Sequence, residues 1–177
     1  MNEYKRENFY ILTGAPGVGK STLLSALKQS YSTVSEPARE VISRQRSTSG
    51  NGLWHQDRNL FVRLLLEKSI EKYDQGDLNE LTFFDRGIPD NTAYASYGEL
   101  EIKPFREATR KYRYNQKAFI LSPWEDIYTT DEERNMTFKE VINFHEHILD
   151  AYRDYDLIEV PKGDLIERVK FIEQHIK

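Results

Sequence analysis

The chain has 177 residues, 38% of them hydrophobic and 31% charged, and its 25 basic against 29 acidic side chains leave a formal net charge of −4. That length suits one domain with a sizeable core, and the mildly acidic balance lacks the basic footprint of a protein that lives on nucleic acid or an anionic membrane. The absence of cysteine excludes a disulfide framework, a thiolate zinc site and a thiol nucleophile.

Met1 to Asn8 is polar and does not read as a signal peptide. No apolar stretch approaches the roughly 20 residues that span a bilayer. A cytoplasmic protein is expected. Phe9-Tyr10-Ile11-Leu12 is a short apolar run closed by glycine, the pattern of a buried strand. Ser21 to Ser30 follows as a helix with Leu23, Leu24 and Leu27 on one side. Thr33 to Ser35 is a second brief strand. Ser43 to Gly52, rich in serine, glycine and arginine, reads as a mobile loop. A long helix spans Gln56 to Tyr73, with apolar positions wrapping broadly around it.

Three further strands are predicted at Leu81–Phe84, Ala118–Leu121 and Leu157–Val160. Thr137 with Glu140 forms a capping box for the helix between the last two, and Asp164 with Glu167 offers a similar start for a final helix. Strands alternating with helices predict an α/β domain with a parallel sheet covered on both faces, a three-layer sandwich. One domain is expected over 1–177, with a lid at about 122–137 between the fourth strand and the capped helix.

Gly14-Ala15-Pro16-Gly17-Val18-Gly19-Lys20-Ser21 matches the Walker A pattern of a phosphate-binding loop, with a strand before it and a helix after it. Glycines let successive backbone N–H groups curl around phosphate oxygens at a helix N-terminus. Lys20 is expected on the β- and γ-phosphates, Ser21 on Mg²⁺, and Thr22 on the α-phosphate. ATP is the expected nucleotide, and the loop suits GTP equally.

Asp85, directly after a hydrophobic strand, is the expected carboxylate partner of Mg²⁺; the alternative is a strand-ending cap. Arg86 stands where remodelling ATPases carry a water-activating glutamate, which argues against a vigorous hydrolase. The switch glycine and the Asn-Lys-x-Asp motif of GTPases are both missing.

These segments together resemble a family. Gly14 to Thr22, Glu36-Pro37-Ala38-Arg39-Glu40 and Phe84-Asp85-Arg86-Gly87-Ile88-Pro89-Asp90 are similar to the NadR-like AAA-type P-loop domain, which includes nicotinamide riboside kinase domains. Trp54, Asp57, Pro123-Trp124, Arg134, Tyr152 and Glu159-Val160-Pro161 extend the resemblance over nearly the whole chain. It implies the fold of nucleoside and nucleotide kinases: strands in order 2-3-1-4-5, counted as they appear, and a small lid.

Glu36 before Pro37 also resembles deoxynucleoside kinases, in which the glutamate receives the proton of the attacking hydroxyl. Carboxyl ends of neighbouring strands converge on the ligand crevice of such a sheet, so Glu36 and Asp85 are expected to face the γ-phosphate. Glu36 has a second reading as a helix cap. Arg39 and Arg86 are candidates for substrate contact or for structural ion pairs. Trp54 suits ring stacking or core packing, and Asp57 lies beside it on the acceptor side.

Arg134, the only arginine of the lid segment, is the expected clamp on the phosphates in transit. Arg106, Arg110 and Arg113 are expected on one helical face, as further anion contacts or a solvated surface. The function expected is ATP- and Mg²⁺-dependent phosphoryl transfer to a small hydroxylated, nucleoside-like acceptor. A nucleotide-binding regulatory switch without an acceptor is the alternative, and no nucleic acid partner is expected.

Overall fold

The computed structural model of the chain describes residues 4–128 and 136–176. The chain opens on a two-residue strand, β1 (Tyr4–Lys5), and enters β2 (Phe9–Gly14), in which every residue is buried. Helix α1 (Lys20–Leu27) leads to the short β3 (Ser32–Val34), and α2 (Pro37–Ser47) and α3 (Arg58–Gln75) lead to β4 (Thr82–Asp85). Helices α4 (Ile88–Tyr97) and α5 (Lys103–Lys111) precede β5 (Tyr112–Arg113) and β6 (Lys117–Leu121). A single 3₁₀ turn, Glu125–Ile127, lies before α6 (Phe138–Ala151), β7 (Asp156–Glu159) and α7 (Leu165–His175).

The main sheet has five parallel strands in the order β3-β4-β2-β6-β7. This is the predicted 2-3-1-4-5 order. The register sets Leu12 opposite Asp85 and Gly14 opposite Leu121, so the carboxyl ends of the three central strands align. Helix α1 packs with α7, while α4 packs with both α3 and α6. Phe9, Ile11, Leu12, Phe83 and Phe119 belong to the main core. A second apolar cluster, with Val41, Phe61, Val62, Ala95 and Phe105, joins α2, α3, α4 and α5.

Three differences from the predicted elements have physical causes. Ser43–Ser47 is helical rather than mobile loop, because Ala38 and Val41 anchor α2 and its polar residues simply face outward. The following turn is tied down by Gly50 N–H to Gln45 O at 2.8 Å and Gly52 N–H to Gln45 Oε1 at 2.9 Å. Helix α1 stops at Leu27, and Gln29 to Tyr31 form turns back onto Ala26 and Leu27.

Arg113 leaves the helical face of Arg106 and Arg110, because α5 ends at Lys111 and the chain turns into β5. There β5 pairs with β1 as a ribbon at the amino end of the sheet. Tyr73 hydroxyl donates to Tyr4 O at 2.7 Å or Arg113 O at 2.8 Å, tying α3 to the ribbon. Arg113 therefore lies in the ribbon, and Arg106 pairs with Asp150 at 2.9 Å.

Candidate functional site

The loop between β2 and α1 has the backbone its glycines permit. Gly14, Gly17 and Gly19 all have positive φ, at 139°, 78° and 85°, where a side chain would be strained. A Cβ on Gly14 would also overlap Leu121 O, and one on Gly17 would stand 2.6 Å from the Tyr128 ring. The loop ends at the N-terminus of α1, so its amide groups and the helix dipole favour an anion.

A cavity of about 550 Å³ opens beside it, lined by Pro16, Gly17, Gly19, Lys20, Ser21 and Thr22 from the loop and α1. Glu36, Arg39 and Arg86 line its other wall. Ala15 is fully buried and Val18 nearly so, and both anchor the loop in the core.

Lys20 is buried, and its ammonium donates to Gly14 O at 2.8 Å and Ala15 O at 2.9 Å. Burial pushes its pKa down to about 8, the Arg86 guanidinium adds to that, and Asp85 and Glu36 oppose it. Asp85 is the last residue of β4 and only 4% exposed, with Oδ1 making no hydrogen bond. Burial raises its pKa, while Lys20 pulls it back. An orphaned, desolvated carboxylate oxygen is costly unless a cation completes it.

Asp85 does not itself line the cavity, but its charge acts on Lys20, which does; its carboxylate and the exposed Ser21 hydroxyl have the hard-oxygen chemistry that Mg²⁺ takes. That ion prefers a few hard oxygens and shares its remaining positions with phosphate and water. Among the described residues no cluster of three acidic or histidine side chains forms an all-protein metal cage.

Glu36 stands two residues beyond β3, at the N-cap position of α2, yet its side chain makes no cap hydrogen bond. Its Oε1 instead accepts from Arg86 Nε at 2.8 Å, and Arg39 Nε lies 3.6 Å from Oε2. Burial pushes the Glu36 pKa up, but Arg86, Lys20 and Arg39 outweigh it and hold the carboxyl below its ordinary range. Arg39 also reaches Ser21 Oγ at 3.4 Å.

Arg86 has a left-handed backbone, φ 67°, and is 5% exposed. Its Nη1 donates to Asp90 Oδ1 at 2.8 Å. Asp90 in turn accepts from Thr13 Oγ1 at 2.8 Å, from Gly87 N–H at 2.9 Å and from the Tyr152 hydroxyl. The carboxylate thereby ties β2, α4 and the end of α6 to the guanidinium that grips Glu36. Sequence reasoning gave Asp90 no role of its own; its place one helical turn after Arg86 was the available signal.

A second cavity, about 700 Å³, shares Pro16, Ile42, Phe61 and Tyr94 with the first. Trp54 lines it, stacked on Tyr97 with centroids 6.0 Å apart and edge-on to Phe61 and Tyr94. Arg46, His55, Arg58 and Glu140 supply its polar groups. Asp57 does not line either cavity; its carboxylate accepts from Leu60 N–H at 2.9 Å and caps α3. Arg134 lies outside the described residues, as do Thr129 to Asn135 around it. Trp124 and Ile127, at the start of the segment expected as a lid, line the first cavity, beside the loop.

Arg168 of α7 also lines that cavity, and sequence reasoning passed over it. Its signal was positional, a charge on the apolar stripe that includes Leu165 and Ile172.

A family model described as an AAA domain matches residues 9–168. NadR protein in complex with NR superposes with a TM-score of 0.71 at 16% identity, over 97% of this chain and 52% of that one. Deoxyadenosine kinase from M. mycoides gives 0.68 at 13% identity, over 95% and 98% of the two chains. Thymidylate kinase from Ehrlichia chaffeensis gives 0.62 at 16% identity, over 94% and 97%. No curated protein matches the sequence.

Proposed function

The chain belongs to the AAA-domain family and has the fold of P-loop kinases; from that premise we propose that it transfers the γ-phosphoryl group of ATP to a small hydroxylated, nucleoside-like acceptor. The observation that carries this reading is Glu36: a carboxylate that caps nothing, gripped by Arg86 and electrostatically coupled to Lys20. A switch protein needs no such group. The aromatic cavity next door, walled by Trp54, Phe61, Tyr94 and Tyr97, suits a flat ring.

In this proposal the backbone N–H groups from Gly14 to Thr22, Pro16 excepted, and the Lys20 ammonium hold the triphosphate. Asp85 and Ser21 hold Mg²⁺, which when bound neutralises phosphate charge. The acceptor oxygen forms a bond to the γ-phosphorus as the bridging bond to ADP breaks, and the hydroxyl proton leaves toward Glu36 or solvent. Because Glu36 is held ionised but weakly basic, its main work is to orient the hydroxyl. Phosphoryl transfer through a loose transition state demands little more. Arg134 remains the proposed clamp from a lid over 122–137. GTP serves the same loop chemistry. A cytoplasmic setting is part of the proposal; among the described residues no helix is long and apolar enough to cross a membrane.

The test is incubation with ATP, Mg²⁺ and a panel of nucleosides, with phosphorylated product read by mass spectrometry. Glu36→Gln is expected to bind ATP normally while losing about 10²-fold in transfer, the cost of a poorly oriented hydroxyl. Wild-type transfer by Glu36→Gln to a confirmed acceptor removes the carboxylate from the mechanism.

A further inference from the structure

Arg168 is 6% exposed and projects from α7 against the phosphate-binding loop. Its Nη1 lies 3.1 Å from where a Cβ on Gly19 would stand, so the guanidinium sits close against the loop backbone. Nη2 makes a long 3.5 Å bond to Val18 O, the Trp124 ring centroid is 6.0 Å from the guanidinium carbon, and Nε has no partner. Among the described residues no carboxylate pairs with it; the other buried cations of the site, Lys20 and Arg86, both have acidic neighbours. Burial alone pushes its pKa down. A buried guanidinium without a counter-charge is unfavourable, and this one borders a cavity whose backbone is shaped for a polyanion.

We propose that Arg168 is a phosphate ligand of the nucleotide, contacting the non-transferred phosphates from the α7 side. This rests on the nucleotide reading of the cavity given above. The placement follows from the two limbs of the loop. Lys20 reaches the Gly14–Ala15 limb, beside Asp85 and Glu36 where transfer takes place. Arg168 lies on the opposite limb, at Val18 and Gly19. The fork of a guanidinium can bridge oxygens of two adjacent phosphates, which an ammonium cannot do. Transfer would then have a fixed cation on each side of the loop, with Arg168 supplied by a helix of the scaffold.

The competing role is structural, with Arg168 bracing the loop and packing on Trp124. Two probes separate the roles: Mg·ADP, and inorganic tripolyphosphate, which has no base or ribose. Their dissociation constants are measured by calorimetry for wild type, Arg168→Met and Arg168→Lys. Methionine keeps length and apolar bulk and removes the charge; lysine keeps the charge and loses the fork. Arg168→Met is expected to weaken both probes by a similar factor, about 10- to 100-fold for a charge-assisted contact. Arg168→Lys is expected to fall between it and wild type, and the unliganded melting temperature of Arg168→Met should stay at or above that of wild type.

ADP binding within twofold of wild type in both variants overturns the proposal, and so does weakened ADP with unchanged tripolyphosphate, which marks a contact to base or ribose. If Arg168→Met fails to fold, Arg168→Lys decides, with wild-type affinity for both probes the overturning result. Wild-type protein that binds neither probe overturns the nucleotide reading itself and with it this inference.

Discussion

Lys20 is the residue whose chemistry is most sharply set by its surroundings. Its free-state pKa of about 8 reflects burial first and Arg86 second, whereas phosphate oxygens would raise it by favouring the charged form. The sign of the linkage follows. Below pH 8 the ammonium is protonated with or without nucleotide, and affinity is flat with respect to this group. Above pH 8 the free protein loses the proton while the bound form keeps it, so affinity falls by up to about tenfold per pH unit until the bound-state pKa is reached. Binding near pH 8 to 9 should therefore take up protons. Calorimetry in buffers of different ionisation enthalpy measures that uptake, and Lys20→Met should abolish it as well as weaken binding. An affinity that stays flat from pH 7 to 10 contradicts the coupling.

At the scale of elements, legibility in the sequence depended on how local the determining contacts are. The apolar runs of β2, β4, β6 and β7 and the caps of α6 and α7 are written in a few adjacent residues, and each was readable. The Walker A loop was readable for the same reason. By contrast, Asp90 meets Tyr152 across 62 positions and Thr13 across 77, and Arg168 meets Val18 across 150. Such pairs exist only once the sheet has formed, so composition and periodicity cannot announce them. The ribbon of β1 and β5, two residues a strand, is too short to carry a pattern.

Asp57 shows the opposite confusion. As a neighbour of Trp54 it looked like a substrate residue, but its carboxylate closes the first turn of α3. Asp57→Ala should thus cost about 1 kcal/mol of stability, while Asp57→Asn, also a good cap, should cost little. Urea unfolding checks both. A large loss of transfer in Asp57→Asn with unchanged stability would return the residue to the acceptor site.

Across the whole molecule, the sheet has one sealed end and one chemically strained end. The amino end is closed by the β1–β5 ribbon, Tyr73, and Arg6 lying over the Phe9 and Tyr73 rings. All five buried aspartate, glutamate, lysine or arginine side chains among the described residues, namely Lys20, Asp85, Arg86, Asp90 and Arg168, gather on the loop side. Arg86 and Asp90 satisfy each other. Asp85 Oδ1 and Arg168 Nε are left without partners, so folding carries a desolvation cost there that Mg²⁺ and a polyphosphate would offset.

A ligand that binds only the folded state at 100 times its dissociation constant adds about 2.7 kcal/mol. For a domain of this size that corresponds to roughly 5–10 °C in Tm. ATP with Mg²⁺ should therefore raise the melting temperature by about that much, and ATP with a chelator by clearly less. Asp85→Asn separates stability from function at this scale. It removes a buried negative charge, so the unliganded melting temperature should match or exceed that of wild type. The extra shift that Mg²⁺ gives over chelator should be lost in the variant, together with turnover. Differential scanning fluorimetry with ATP, with and without Mg²⁺, on both proteins is the measurement. A wild-type Mg²⁺-dependent shift in Asp85→Asn would mean that the carboxylate does not hold the ion, and Ser21 with the phosphates would be left as its ligands.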